Sequence, residues 1–171
     1  MNLNFEPDLE KNEVFEKVKT FLDSNGLNII NSDQSRPWGG FFVVDEKQSQ
    51  KFIDFFFKDV DDSQKKSSGK VSPKILIVEK GKRLSWQYHY RRSELWKVIG
   101  GRVGVIQSES DAETTIQTKS VDQVITLQQG ERHRLIGLDS WGIVAEIWKH
   151  TDHDNPSDED DIVRLQDDFG R

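Results

Sequence analysis

Residues 81–96 read GKRLSWQYHYRRSELW, and the segment at residues 130–133 reads GERH. In an extended strand alternate side chains share a face, so Gln87 and His89 point the same way. A turn after them can bring the glutamate at the head of the next strand alongside, and the histidine of the second segment can arrive from a separate hairpin. Imidazole, carboxylate and amide oxygen atoms suit a divalent transition metal. The spacing predicts a site with four ligands: Gln87, His89, Glu94 and His133.

Two kinds of metal chemistry are compatible with this ligand set. A single histidine is more often a surface or packing residue than a ligand, so the joint spacing carries the prediction. A divalent ion with one neutral amide ligand keeps much of its Lewis acidity and can stabilise the enediolate of an aldose–ketose isomerisation. Two histidines and one carboxylate also resemble the ligands of non-haem iron sites that activate oxygen.

The basic residues beside the ligands, which could bind a phosphate group, are Lys82, Arg83, Arg91, Arg92, Arg132 and Arg134.

The composition excludes several classes of protein. With 171 residues the chain is long enough for a single domain with a core, and one domain is predicted. It contains no cysteine, which excludes disulfides, thiolate metal sites and a cysteine nucleophile. The formal net charge of -6 and the pI near 5.3 argue against nucleic acid or an anionic membrane as a partner. The sequence lacks an apolar run long enough to cross a bilayer and the features of a signal peptide, so a cytoplasmic location is expected.

The first part of the chain, residues 1–60, is predicted to be a mainly helical extension with one strand. Apolar residues recur at helical spacing over residues 9–25, and a glycine follows where a helix would stop. A second helix is predicted over residues 48–57, whose phenylalanines favour core packing over a ligand role. The apolar run at residues 41–44 predicts the strand between these two helices.

Beyond a polar segment at residues 59–70, which predicts a mobile loop, the pattern changes to short β-rich runs separated by glycine or acidic turns. These runs cover residues 74–79, 84–89, 95–99, 102–107, 114–118, 124–127, 132–136 and 141–149. Many short strands without intervening helices predict an antiparallel sandwich or barrel over residues 71–150, and a small jelly-roll barrel has room for one ligand. The acidic tail, residues 151–171, is predicted to be partly helical at most, with residues 158–161 as a solvated charged run.

The residues of the predicted metal site resemble a known family. Gly81, Gln87, His89 and Glu94 have the spacing of the first cupin motif, with glutamine where many cupins have histidine. Five segments in order resemble the type II mannose-6-phosphate isomerases, in the stand-alone form: RPWG at 36–39, LSWQYH at 84–89, RSELW at 92–96, HRL at 133–135 and EDDIVRLQDDFGR at 159–171. This resemblance implies a mainly β fold, a cupin (double-stranded β-helix, jelly-roll) barrel with N-terminal helices packed on it.

The resemblance also implies an activity, the reversible conversion of mannose 6-phosphate and fructose 6-phosphate. It implies one divalent ion on the four predicted ligands, Zn2+ first, with Mn2+, Co2+, Ni2+ or Fe2+ as alternatives. Arg92 is expected at the catalytic site, and Lys74 in proton transfer or substrate binding. Substrate contacts are expected from Arg134, Arg36 and Arg164. The alternation of side chains along the strand favours a surface position for Arg134. For Arg36, Arg164 and Arg171, a structural role in ion pairs that anchor the tail to the barrel is equally compatible with the sequence.

Departures from the family pattern leave alternative functions open. Tyr90, Arg91 and Leu95 stand where the family usually has further histidines, and Glu146-Ile-Trp148 stands where it tends to have Glu-Val-Gln. A non-catalytic phosphosugar-binding or regulatory cupin, or an isomerase of another phosphosugar such as a heptose phosphate, is therefore an alternative. In each case the expected partner is a small phosphorylated sugar, with no nucleic acid and no membrane. A homodimer through a strand edge is compatible with a barrel of this size.

Overall fold

Eleven β-strands and three α-helices are present in residues 3–65 and 69–171, the part of the chain that the computed structural model describes. The helices are α1 (Lys11–Ser24), α2 (Ser49–Phe56) and α3 (Asp62–Lys65), and a 3-10 helix (Glu46–Gln48) leads into α2. The strands are β1 (Ile29–Asp33), β2 (Gly39–Val44), β3 (Lys74–Val78), β4 (Trp86–Tyr88), β5 (Arg92–Gly100), β6 (Arg102–Ser108), β7 (Gln117–Ser120), β8 (Val124–Leu127), β9 (Arg132–Gly137), β10 (Gly142–His150) and β11 (Val163–Gln166). Among the described residues, none of the helices is long and apolar enough to cross a membrane.

The strands form two antiparallel sheets. The first has the order β1-β2-β3-β10-β5-β8, and the second has the order β11-β4-β9-β6-β7. Strand β10 lies in the middle of the first sheet, where Glu146 is paired with Lys74 of β3 on one side and with Trp96 of β5 on the other. Neighbouring strands come from distant parts of the chain, as in a jelly roll. The predicted mainly β cupin barrel is confirmed.

Side-chain alternation divides the first sheet between two cores. On β3, Ile75 and Ile77 pack in one buried cluster with residues of α1 and α2, whereas Leu76 and Val78 pack inside the barrel with residues of the second sheet. Lys74 is two residues before Leu76 and therefore shares its inward direction. Strands β5 and β10 follow the same rule. Polar residues at the inward-facing positions of these strands therefore point into the barrel. The candidate site is formed by such residues.

A glycine allows β2 to run close beside β3. Gly39 has a φ of +142°, and a Cβ at this position would lie 1.9 Å from the carbonyl oxygen of Ile77. Glycine alone tolerates both the backbone conformation and the close approach. Trp38, directly before this glycine, and Phe41, two residues after it, then join the core inside the barrel and line its cavity.

One prediction about the ends of the chain is wrong, and one strand in the tail was not predicted. The segment 1–60 contributes two strands rather than one, because β1 pairs with β2 at the edge of the first sheet. Only the two ends of β1 are partly buried, so its sequence has little apolar alternation to reveal it. The tail is not helical in this part, because β11 pairs with β4 and extends the second sheet.

Two further segments differ from their predicted states. The charged run at residues 158–161 is not uniformly solvated, because Asp161 is only 5% exposed. The polar segment at residues 59–70 contains α3 rather than loop alone, and part of it, residues 66–68, lies outside the described residues.

Candidate metal and substrate site

A cavity of about 400 Å3 is lined by residues of both sheets and of the tail. Its size is that of a small-molecule site. Its walls are unusually rich in charge. The cationic side chains that line it are Arg36, Lys74, Arg92, Arg164 and Arg171. The acidic side chains that line it are Glu94, Glu146, Glu159 and Asp160.

Three of the four predicted metal ligands converge beside this cavity. His89 directly follows β4, Glu94 lies on β5 and His133 lies on β9, so three strands supply the group. Glu94 Oε1 is 3.2 Å from His89 Nε2, and Glu94 Oε2 is 3.6 Å from His133 Nε2. One donor atom of each residue lies within 4.8 Å of the other two. All three side chains are buried, so the group is held rigidly and away from bulk water.

The hydrogen bonds of the two imidazoles leave both Nε2 atoms facing Glu94. His89 Nδ1 lies 2.6 Å from the carbonyl oxygen of Asp161, and His133 Nδ1 lies 2.9 Å from that of Glu131. A carbonyl oxygen only accepts, so each Nδ1 carries the proton and each Nε2 keeps a lone pair. His133 Nε2 is buried and has no hydrogen-bond partner among the described residues. A buried nitrogen without a partner, beside a carboxylate and a second imidazole, fits a divalent metal ion.

The electrostatics of the group favour the protonation states that bind metal. Burial alone would raise the pKa of the Glu94 carboxyl, but this pKa is held well below its usual value, with the positive charge of the neighbouring Arg92 guanidinium as one cause. Burial lowers the pKa of His133 to about 4, against the raising effect of Glu94. An ionised carboxylate and a neutral imidazole are the forms that coordinate a metal ion.

Gln87, the fourth predicted ligand, lies opposite His133 in the β4–β9 pair and lines the cavity. Its amide oxygen accepts a hydrogen bond of 2.5 Å from Ser85 Oγ. A carbonyl oxygen has a second lone pair, so this contact is compatible with coordination. Coordination by Gln87 stays a prediction.

Arg92 is hydrogen-bonded to the same group of residues. Its Nε donates to Glu94 Oε1 at 2.7 Å, and its Nη2 donates to His89 Nε2 at 3.1 Å. Its Nη1 donates to Ser157 Oγ at 2.8 Å, and the guanidinium lies 3.6 Å from the ring centroid of Trp148. These contacts hold a positive charge on the cavity wall. The hydrogen bonds of Arg92 to Glu94 and His89 occupy lone pairs that a metal ion would use. Binding of an ion would therefore replace these hydrogen bonds with bonds to the ion.

Lys74 is the second buried cation of the cavity. Its ammonium group forms an ion pair with Glu159 of the tail and lies 4.1 Å from the ring centroid of Trp148 and 5.1 Å from that of Phe41. The lysine side chain is almost fully buried, whereas the glutamate is largely exposed. The tail therefore covers Lys74 with an acid that can move into solvent. The predicted role in proton transfer or substrate binding stays a prediction.

Three arginines lie close together on the cavity wall. Arg36 Nε is 2.7 Å from Asp33 Oδ2 without the alignment of a hydrogen bond, and Arg171 donates to both carboxylate oxygens of Asp167, at 2.8 and 3.1 Å. The side chain of Arg164 forms no hydrogen bond or ion pair with any described residue; burial and the positive charges of Arg171 and Arg36 lower its pKa. Both ion pairs are local in sequence, so the alternative of anchoring the tail to the barrel is wrong. The free guanidinium of Arg164 is available to an anion.

The prediction of a substrate contact for Arg134 is wrong. Neighbouring His133 points into the barrel, so Arg134 points to the opposite face of β9 and does not line the cavity. It is nevertheless 1% exposed, because it donates to Glu113 Oε1 at 2.6 Å and to the side chain and backbone oxygens of Gln166 in the tail. The expected surface position is therefore wrong as well: the tail covers this face.

The basic residues beside the predicted ligands also differ from expectation. Of the six, only Arg92 lines the cavity. Arg83 pairs with Asp168, and Arg132 pairs with Asp111, outside the cavity. The cavity instead draws its cations from β3, from the segment before β2 and from the tail, which are distant from the ligands in sequence.

Sequence reasoning missed Asp161, which links the tail to the metal group. Its carboxylate accepts the backbone N–H groups of Tyr90 and Arg91 at 3.0 Å each and the Ser157 hydroxyl at 2.6 Å. Burial alone would raise the pKa of Asp161, but these hydrogen bonds lower it. Because the carbonyl of the same residue accepts from His89 Nδ1, these contacts orient a metal ligand. An acidic run in a tail gives no sequence signal for such a role.

Sequence reasoning also missed Glu146 as a cavity residue. It accepts hydrogen bonds of 2.8 Å from the indole N–H groups of Trp96, to Oε2, and Trp148, to Oε1. Burial and the charge of Glu94 raise the pKa of Glu146 to about 7. The available signal was a single carboxylate within the apolar run at residues 143–148, at a parity that places it inside the barrel.

The barrel, its charged cavity and the group of two histidines and one carboxylate define a cupin with a candidate metal site. Residues 60–167 match the family model described as mannose-6-phosphate isomerase C-terminal. This match covers more than half of the chain. The chain therefore belongs to the mannose-6-phosphate isomerase C-terminal family, and the resemblance inferred from its motifs is confirmed. No curated protein sequence matches it significantly.

Two solved structures of one protein support the fold. Two crystal structures of the capsular polysaccharide assembling protein CapF from Staphylococcus aureus, one of them with the inhibitor 3-isopropenyl-tropolone, have TM-scores of 0.51 and 0.52 and identities of 15% and 14%. Each covers 80% of this chain and 34% of the CapF chain, so the present chain spans about a third of CapF. A Cupin 2 conserved barrel domain protein from Salinispora arenicola has a TM-score of 0.39 and 19% identity, over 46% of this chain and 62% of that protein.

Proposed function

We propose that this protein is a metal-dependent sugar-phosphate isomerase that interconverts mannose 6-phosphate and fructose 6-phosphate through an enediol or enediolate. The observation that carries the proposal is one cavity in which Glu94, a member of the His89–Glu94–His133 group, lies on the same wall system as five cationic side chains. In such a cavity the negative oxygen of the intermediate and the phosphate group of the sugar would each have a separate positive partner. Membership of the mannose-6-phosphate isomerase C-terminal family supports the choice of substrate.

The metal ligands would hold one divalent ion. Two imidazoles and a carboxylate with an open position are common ligands of catalytic zinc, so Zn2+ is the first candidate and Mn2+, Co2+, Ni2+ and Fe2+ are alternatives. When bound, the ion would polarise the sugar carbonyl and stabilise the negative oxygen of the enediolate. Arg92 supplies a further positive charge at the same place, and its position is held by Ser157 and the Trp148 ring.

The phosphate would bind at the arginines of the cavity wall. Among the residues that the structure describes, the guanidinium of Arg164 has no partner and the buried Nε of Arg36 has no hydrogen bond. A guanidinium binds two phosphate oxygens in parallel, which fixes the orientation of the sugar as well as its charge. Lys74 would donate a proton or a hydrogen bond to a sugar oxygen once Glu159 releases it.

The test is an isomerisation assay. The purified protein is loaded with each divalent ion in turn and incubated with mannose 6-phosphate, and fructose 6-phosphate is detected with a coupled enzyme. Elemental analysis of the same samples and of a Glu94→Ala variant establishes whether a metal is held at this group. Lack of turnover with every ion, in samples that contain about one equivalent of metal, would falsify the proposal.

A second candidate is an isomerase of another phosphosugar, such as a heptose phosphate, or a non-catalytic phosphosugar-binding cupin. Trp148 favours this alternative, because its indole stands in the cavity against both Lys74 and Arg92 and reshapes the wall that a sugar would contact. Tight binding of mannose 6-phosphate without turnover would indicate a binding protein. Turnover of a longer phosphosugar alone would indicate a different substrate.

A further inference from the structure

Glu146 lies at the centre of the cavity-facing side of the first sheet. It occupies the middle of β10, with Lys74 directly across from it on β3 and Trp96 directly across from it on β5. It lines the cavity, although the residue as a whole is only 5% exposed. Burial of a charged side chain in such a position costs free energy unless its surroundings compensate the charge. A carboxylate kept there points to a functional role.

The contacts of Glu146 fix its position without fixing its charge. Each carboxylate oxygen accepts one hydrogen bond of 2.8 Å from an indole, Trp96 to Oε2 and Trp148 to Oε1. Both donors are neutral, and neither can titrate. An arginine or lysine in direct contact would hold the carboxylate permanently ionised, but Glu146 forms no ion pair with any described residue. The carboxyl can therefore exist in either protonation state with the same geometry.

The other acidic groups of the cavity are committed elsewhere. Glu94 is bonded to Arg92 and belongs to the candidate metal group. Glu159 is paired with Lys74 and is largely exposed, and the neighbouring Asp160 is exposed too. Among the described acidic side chains that line the cavity, Glu146 is thus the buried one without a cationic partner. A buried carboxyl of this kind is the group expected to exchange a proton with a bound substrate.

We propose that Glu146 is the catalytic residue that carries the proton between the two carbons of the sugar during isomerisation. The inference rests on the isomerase function proposed above. The ionised carboxylate removes the proton from C2 of the open-chain aldose, the C–H electron pair forms the C1–C2 double bond, and O1 takes the negative charge. Glu146 then returns the proton to C1, while the hydroxyl proton of O2 passes to O1 and the C2 carbonyl forms. Protons and electrons balance, and no co-reactant is needed.

The electrostatic environment agrees with this role. Burial and the charge of Glu94 raise the pKa of Glu146 to about 7, with Lys74 and Arg92 opposing the shift. A proton carrier works best when its two states have similar free energy at the working pH. Lys74 on the paired strand is placed to assist the transfer between the two sugar oxygens.

The experiment compares Glu146→Gln with the wild type and with Glu113→Gln, which makes the same change at a carboxylate that pairs with Arg134 away from the cavity. We expect Glu146→Gln to lower kcat by about a thousandfold, within the range of general acid–base catalysis. Metal content and the Kd for mannose 6-phosphate should stay within about threefold of the wild type. Incorporation of solvent deuterium into the sugar at C1 and C2 should fall together with kcat. Glu113→Gln should behave as the wild type.

The outcomes separate this inference from the proposed function. Turnover by the wild type with an undiminished kcat in Glu146→Gln would overturn the role of Glu146 alone. Absence of turnover by the wild type with any ion or phosphosugar would overturn the isomerase function and this inference with it. If Glu146→Gln does not fold, Glu146→Asp keeps the acid but shortens it by one methylene. That variant should lose at least about tenfold in kcat with little change in KM, and an unchanged kcat would refute the role.

Discussion

Replacement of Asp161 by alanine should destabilise the protein and weaken its metal binding at the same time. The side chain accepts three hydrogen bonds, from the backbone N–H groups of Tyr90 and Arg91 and from the hydroxyl of Ser157. The backbone carbonyl of the same residue accepts from His89 Nδ1. Alanine keeps this carbonyl but removes the three contacts that hold it in place. The substitution thus tests whether the tail positions a metal ligand.

The magnitude follows from these contacts. A partly buried donor that loses its acceptor costs about 1 kcal/mol at the low end, so three donors give about 3 kcal/mol of lost unfolding free energy. The partner of a coordinating imidazole typically contributes about ten- to a hundredfold to metal affinity, and we expect about tenfold because the carbonyl itself remains. Both effects have the same origin, so they should appear together.

Two measurements check this prediction. Urea denaturation in the presence of a chelator gives the change in unfolding free energy, and competition with a fluorescent chelator gives the Kd for Zn2+. The control is Asp154→Ala, which removes the same charge from an exposed position of the tail. An Asp161→Ala protein within about 0.5 kcal/mol and twofold of the wild type in both measurements would refute the view that the tail supports the metal group.

Four further predictions concern the site. His133→Ala should release the metal ion, measured by elemental analysis, because it removes the buried Nε2 that has no hydrogen bond within the described part of the chain; full metal content would exclude this residue as a ligand. Arg92→Ala should bind Zn2+ at least as tightly as the wild type, because it removes two hydrogen bonds that compete with the ion for Glu94 and His89. Its turnover should fall by about a hundredfold or more. Loss of metal would show instead that the arginine supports the ligands. Arg164→Ala should raise KM for the phosphosugar about tenfold with little change in kcat, and an unchanged KM would remove this arginine from the phosphate site. Lastly, the pKa of His133 in the folded protein is lowered to about 4, whereas the pKa of an unfolded histidine is about 6.5. Between these two pH values the unfolded chain binds more protons than the folded protein. The free energy of unfolding therefore falls as the pH drops through this interval. Urea denaturation of the metal-free proteins at about pH 7 and about pH 4.5 should show that the unfolding free energy of His133→Gln falls less between the two pH values than that of the wild type. Equal losses in the two proteins would contradict the lowered pKa of His133.

The strand pattern and the ligand spacing were readable from the sequence because both depend on local rules. Alternation along a strand places Gln87 and His89 on one side, and turn residues mark where each strand ends. Every predicted strand from residue 74 onward is present, with ends shifted by a few residues. The two long helices were readable for the same reason, since their apolar faces repeat at helical spacing.

The remaining errors come from interactions between distant segments. β1 pairs with the free edge of β2, and its short sequence, with apolar residues only at its start, does not alternate as a predicted strand would. β11 forms because β4 offers the other edge, and the tail then covers Arg134 and makes a buried residue from one expected at the surface. Neither edge can be recognised from local sequence, because backbone pairing requires no particular side chains.

The sequence by itself determined that this chain is an antiparallel β sandwich or barrel with two histidines and a glutamate at metal-binding spacing, because period and spacing are properties of the chain alone. Only the tertiary structure decided which charges enter the cavity. Inward parity on β3 and β10 brings Lys74 and Glu146 together from positions far apart in sequence, and the tail adds Arg164 and the carbonyl that orients His89. Long-range strand pairing sets these neighbours, and no local pattern encodes it.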